Sequence, residues 1–184
     1  MHKFTLFTYY MGIVMPAVYN RLLVETVSSI SGVQARNSHR LYIHSGIYEQ
    51  AAQHYAPLYP FLNDQIQFLF EYAQSLSKSE EPAQSNEILQ RAVQISCDPM
   101  LYNIMGKNYQ ALKEYAQAEN YLIKSTQMVP HRIYPWYLLM KLYDEMGLPE
   151  KACETASIVE TKEPKVQSQA VREMREEARK ICAK

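Results

Sequence analysis

The sequence predicts an all-α protein, a right-handed superhelix of antiparallel helix pairs closed by one further helix. Three observations carry this expectation. The pattern of the segment Leu101 to Pro130 recurs within Tyr134 to Pro164 after a shift of 34 residues. Glycine is scarce, five in 184 residues, too few for the many tight turns of an all-β fold. The last stretch, Val166 to Ile181, carries apolar residues at intervals of three and four on a charged background, the spacing of an amphipathic helix.

Taken in order, the chain opens with Phe4 to Tyr19, which holds no charged residue. Sixteen residues containing Thr, Tyr, Gly and Pro are short for a membrane span of roughly 20 apolar residues. His2 and Lys3 make a thin positive region for a signal peptide, and no small-residue cleavage site follows. Residues 1–31 are therefore expected to be an apolar, juxtamembrane-like segment, either a first element of the fold or the tail of a membrane segment. Residues 32–184 are expected to form the repeat domain. The first repeat, about 32–65, places a turn at Gly46-Ile47-Tyr48 and a second-helix face at Ala51, Tyr55 and Leu58. The next, about 66–98, carries Leu69, Tyr72-Ala73 and Leu76 on its first helix and Ser85, Leu89 and Ala92 on its second. The repeat at 99–132 has Tyr102, Met105-Gly106 and Tyr109, then Ala118 and Leu122, and closes on Pro130. The repeat at 133–166 has Trp136, Leu139 and Tyr143, then Ala152, and closes on Pro164. A capping helix is expected at 166–182, with Val166, Ala170, Val171, Met174, Ala178 and Ile181 inward and a mixed-sign outer face read as solvated.

The spacing has a physical reason. Helices of about a dozen residues cannot bury an apolar face alone, so each pair stacks on the next. Gly106 and Ala118 stand where two backbones approach, with Tyr102, Tyr109 and Leu122 filling the volume around them. Met140 occupies the place of Gly106 in the following repeat, which leaves that close approach in question. Proline after the second helix ends it and turns the chain.

Composition excludes several functions. Lys plus Arg count 19 and Asp plus Glu count 19, so the chain lacks the positive excess of a general nucleic-acid binder. The glycines lie far apart, and no phosphate-cradling loop exists. Cys97, Cys153 and Cys182 form no CxxC and no disulfide framework; they read as small core or near-surface residues, compatible with a reducing cytoplasm. The five histidines show no metal-ligand spacing, and neither a nucleophile-base motif nor a converging carboxylate pair is present. No catalytic residue, metal or cofactor is expected.

Residues 99–132 and 133–166 resemble the tetratricopeptide repeat family, through the large first-helix residue, Met105-Gly106, Tyr109, Ala118, Leu122 and Pro130 and their counterparts. The resemblance implies an α-solenoid of three to four helix pairs. It also implies a non-enzymatic scaffold that binds a peptide or protein in the concave groove lined by first helices. On that face it places Phe70, Gln74, Asn103, Lys107, Gln110, Tyr134, Tyr137, Lys141 and Asp144. Lys107 and Lys141 lie one repeat apart, with Asn103 one turn before the first and Tyr137 one turn before the second. Because packed helices sit about 10 Å apart, the two ammonium groups would form a short positive ladder suited to an acidic peptide, a C-terminal carboxylate or an acidic sugar.

Three longer strings, beginning FLFEYAQ, SCDPMLY and KEPKVQS, are similar to the soluble C-terminal repeat region of O-antigen ligase/polymerase-like membrane proteins of Bacteroidales-type bacteria. That similarity implies an accessory domain in surface-glycan assembly, with membrane glycan-assembly machinery as partner and membrane association as part of a larger protein. Without it, a cytoplasmic scaffold is expected. Neither reading fixes an oligomeric state.

Overall fold

The computed structural model describes residues 48–163 and 166–183. The apolar segment within 1–31, the first helix of the first repeat, the Gly46-Ile47 turn and Pro164 lie outside the described residues. Those that are described are helical with short connections: α1 (Tyr48–Tyr55), a 3₁₀ turn (Ala56–Leu58), α2 (Tyr59–Leu62), α3 (Ile66–Lys78), α4 (Pro82–Ile95), α5 (Pro99–Ala111), α6 (Tyr115–Met128), α7 (Ile133–Glu145), α8 (Pro149–Thr161) and α9 (Gln169–Cys182). Three consecutive helix pairs, α3/α4, α5/α6 and α7/α8, stack along the chain, and α9 packs on α8.

Local chemistry sets the ends of these helices. Pro82, Pro99 and Pro149 each open a helix, where a missing N–H costs nothing and φ is already helical. Asp98 caps α5 by accepting from the Met100 amide at 2.8 Å. Within each pair the turn repeats the same device. The amides of Glu81, Glu114 and Leu148 donate back to the carbonyls of Leu76, Tyr109 and Tyr143 at 2.9–3.0 Å. The residue before each, Glu80, Lys113 or Gly147, is left-handed with φ of 64°, 60° and 69°. That is a helix C-terminus closed by a 6→1 bond.

The core runs through the pairs. Ala73, Leu89, Leu101, Met105, Ala118, Leu122, Leu139, Leu142 and Ala152 are all but sealed from solvent. The close approach expected at Gly106 is present: a Cβ there would lie 2.5 Å from Cγ and Cδ2 of Leu122. The position equivalent to Gly106 is Ala73 in the preceding pair and Met140 in the following one; those equivalent to Leu122 are Leu89 and Ala156. All are buried. Met140 therefore does not loosen its repeat. It fills the space that Ala156, in place of a leucine, leaves open, and the two belong to one buried cluster. The small residue has moved from the first helix to the second, and the packing volume is conserved.

A polar node joins the first two of these pairs. Asn108 on α5 donates to Ser85 Oγ at 2.8 Å and to Asn86 Oδ1 at 2.9 Å on α4, and accepts from Ser77 on α3 at 2.6 Å. Ser85 in turn donates to the Ala73 carbonyl at 2.7 Å. At the next junction the equivalents of Asn108 and Ser85 are Leu142 and Ala118, which pack in one apolar cluster.

The capping helix begins three residues later than expected. Ser168 accepts from the Val171 amide and starts the helix at Gln169, so Val166 and Ala170 stay exposed and drop out of the apolar stripe. Ala178 is fully buried, and Val171, Met174 and Ile181 are half-buried against α7 and α8. Its charged face is not simply solvated. Arg179 pairs with Glu160 at 2.7 Å, and Arg175 donates to the Lys162 carbonyl at 2.7 Å at the end of α8. The reading of Cys153 and Cys182 as unpaired thiols is corrected: they form a disulfide joining α8 to α9. The start of α8 meets the end of α9 because the two helices run antiparallel. Cys97 is free and exposed.

Candidate functional site

First helices α3, α5 and α7 lie side by side and leave two adjoining cavities on one face. The larger, about 490 Å³, lies between α5 and α7 and is lined by Lys107, Gln110, Ala111, Lys113, Tyr134, Tyr137, Leu138, Lys141 and Glu145. The smaller, about 210 Å³, lies toward α3 and is lined by Gln74, Ser77, Lys78, Met100, Asn103, Ile104, Lys107 and Tyr134. Lys107 and Tyr134 border both, so the two make one groove.

Seven of the nine residues expected on this face line it: Gln74, Asn103, Lys107, Gln110, Tyr134, Tyr137 and Lys141. Phe70 and Asp144 do not. Phe70 is half-buried against the core cluster that runs from α1 to α5, and Asp144 is exposed and does not line either cavity. Lys78, Lys113 and Glu145 line the groove and were not expected there. Each sits at or just after the end of a first helix, where family position says little about direction.

The electrostatics are uneven along the groove. Lys141 lies 3.4 Å from Glu177 of α9 and 5.7 Å from the centre of the Tyr137 ring. The Tyr137 hydroxyl donates to the same carboxylate at 2.8 Å. Burial, and then the hydrogen bond to Glu177, push the Tyr137 hydroxyl up to about 12, and the Tyr137 bond, followed by the Lys141 charge, holds Glu177 below its ordinary range against the opposing effect of burial. The downstream rung of the expected ladder is therefore already neutralised, and Tyr137 stacks on Tyr134. Spacing alone assigns Glu177 to a solvated charge run, because the register of α9 on α7 leaves no trace in it.

The upstream rung differs. Lys107 is half-buried, and among the described residues no carboxylate pairs with it. Burial first, and then the neighbouring Lys78, lower its affinity for its proton. One turn away Asn103 is 2% exposed; its amide nitrogen reaches only the Met100 sulfur at 3.7 Å, and its carbonyl oxygen has no hydrogen-bond partner. A buried amide oxygen without a partner is costly, about 1–3 kcal/mol. Glu145, on the same wall, accepts from Gln110 and from the Tyr115 hydroxyl at 3.2 Å. The groove thus has three lysines on its wall, Lys78, Lys107 and Lys113, that no carboxylate pairs with among the described residues, a buried carbonyl oxygen of Asn103 without a partner, and an aromatic wall. That set is suited to an acid and a backbone N–H of an extended chain.

No protein-family model and no curated protein matches the chain. Solved structures do. MamA 41-end from Desulfovibrio magneticus RS-1 superposes with a TM-score of 0.64 at 15% identity, over 83% of this chain and 92% of that one. The TPR-like repeats of a Podosopora anserina putative kinesin light chain give 0.60 at 15%, over 82% and 94%. YrrB, described as a TPR protein with an unusual peptide-binding site, gives 0.56 at 14%, over 79% and 83%. At these identities the likeness speaks for the fold: the chain folds as an all-α, tetratricopeptide-like solenoid.

Proposed function

We propose that the chain is a non-enzymatic interaction scaffold that binds an extended, acidic segment of a protein partner in the groove of α3, α5 and α7. The observation that carries this reading is the pair Asn103 and Lys107. A half-buried ammonium beside another lysine and a buried amide oxygen with no partner both work against stability, and both are answered by one ligand supplying a carboxylate and a backbone N–H. Tyr134 borders both cavities and offers an apolar surface between them. The ligand class is protein or peptide; the groove has no feature that calls for a cofactor.

The test is a pull-down with the full chain at low salt, followed by affinity measurement on the captured partner. Lys107→Glu is expected to lose at least tenfold in affinity, with the effect shrinking as salt is raised. Equal binding by the variant at low salt sinks the reading. A second reading, an accessory domain in surface-glycan assembly, rests on the similarity of three sequence strings. Among the described residues no helix is long and apolar enough to cross a membrane. Co-purification with a multi-span glycan-assembly protein tests that reading.

A further inference from the structure

The capping helix sets an acid of this chain against two residues of the groove wall. Glu177 accepts from Tyr137 and Lys141, which stand at the same repeat positions as Asn103 and Lys107. The fourth repeat therefore already holds a carboxylate where the third has none. The hold on α9 is mixed. Ala178 is its one buried side chain among the described residues, and the rest of the attachment is half-buried apolar contact, two arginine contacts and the Cys153–Cys182 bond. Cys182 is exposed and Cys153 half-buried, so the bond is open to attack from solvent on the Cys182 side.

We propose that the Cys153–Cys182 disulfide is a redox latch that keeps Glu177 seated as an internal competitor for the acidic partner, and that its reduction releases Lys141 and Tyr137 to that partner. The inference rests on the acidic-segment reading of the groove. The step is thiol–disulfide exchange with a dithiol. A reductant thiolate attacks Cys182 Sγ, the S–S bond breaks, and Cys153 leaves as a thiolate that takes up a proton. The reductant's second thiol then displaces Cys182, which leaves and is protonated likewise. The protein disulfide gains two electrons and two protons, and the dithiol is oxidised to its own disulfide. With the tether cut, α9 samples undocked states, and the groove gains the fraction of affinity that Glu177 had withheld.

The experiment uses the full chain, oxidised or reduced with dithiothreitol, with two readouts. Amide hydrogen exchange reports the docking of α9, and fluorescence anisotropy reports binding of a labelled hexaglutamate peptide at low salt. Reduction is expected to speed exchange in residues 171–182 at least tenfold and to tighten hexaglutamate at least threefold. Cys182→Ser should reproduce both effects without reductant. Glu177→Gln should bind tightly in both redox states. Exchange that stays within twofold on reduction overturns the latch, as does an affinity that reduction and Cys182→Ser both leave unchanged. If binding depends on Lys107 but not on redox state, the latch alone fails. If hexaglutamate binds no form of the protein, the groove reading fails and takes the competitor role with it.

Discussion

Exchanging the Gly106/Leu122 pair for Met/Ala transplants into the α5/α6 repeat the solution used by α7/α8, and its cost can be worked from the packing. A Cβ at position 106 would sit 2.5 Å from Cγ and Cδ2 of Leu122, and Cγ is not a flexible tip. Gly106→Met therefore belongs at the upper end of overpacking, about 3 kcal/mol, less about 1 kcal/mol from replacing a mid-helix glycine. The net loss is about 2 kcal/mol. Leu122 is fully buried, so Leu122→Ala should cost about 3–5 kcal/mol through lost burial and a cavity. Independent effects would sum to about 5–7 kcal/mol. The double variant should recover about 1.5–3 kcal/mol of that sum, because the methionine enters the space the alanine vacates. Urea denaturation followed by circular dichroism of the four proteins measures the coupling directly. Additivity to within about 0.5 kcal/mol would show that 106 and 122 do not share one packing volume, and the size-exchange account of Met140 and Ala156 would go with it.

Other expectations are as direct. Cys153→Ser should cost about 3–4 kcal/mol by loop entropy for a separation of 29 residues, read by urea titration under oxidising conditions; no change in midpoint would mean the bond does not close in solution. Lys113→Gly, at φ 60°, should stabilise by about 1 kcal/mol, since an L-residue in the left-handed region is strained by about 1–2 kcal/mol; a lower melting temperature would contradict that turn. The proton affinity of Lys107 is lowered in the fold, so its charge opposes folding at pH values below its folded pKa, and stability recovers as pH rises through that value toward 10.5. Lys107→Gln should thus melt higher than the wild type at pH 7, with the gap closing toward pH 10.5; a gap that widens with pH reverses the sign. Glu177 is shifted the other way, so the stability it adds is present above about 4.5 and is lost as pH falls through its folded value. Glu177→Gln should lie below the wild type at pH 7 and converge with it in thermal melts as pH falls below the folded value of Glu177; parallel curves would deny the contact.

Helix pairing and the stacking of residues 66–161 were legible because glycine, alanine and proline recur at fixed offsets, and those residues act locally. Spacing alone pointed to a close contact at Gly106, and its neighbour is the Leu122 side chain. The exchange of large and small residues in the last pair was not legible, since Met140 looks like a violation until Ala156 is seen across from it. Most of the groove face followed from family position. Its charge state did not: whether Lys141 or Lys107 is free depends on where α9 puts Glu177, which is a matter of helix register. The disulfide was hidden for the same reason, its cysteines being 29 residues apart with no motif between them.

The Asn108 node bears on how a chain of look-alike units finds its order. Successive repeats are alike enough that a nascent helix could dock one place out of step, a common fate of repeat proteins. Here the error carries a penalty. Leu142 set against Ser85 and Asn86 would leave Asn86 Oδ1 without its donor, Ser85 keeping only its bond to the Ala73 carbonyl, and Asn108 moved to an apolar seat would bury its amide unanswered, at about 1–3 kcal/mol for each stranded group. One junction is keyed polar and the next apolar, so each first helix carries an address that only its own neighbour reads, and the assembly sequence is written into the seams rather than into the helices themselves.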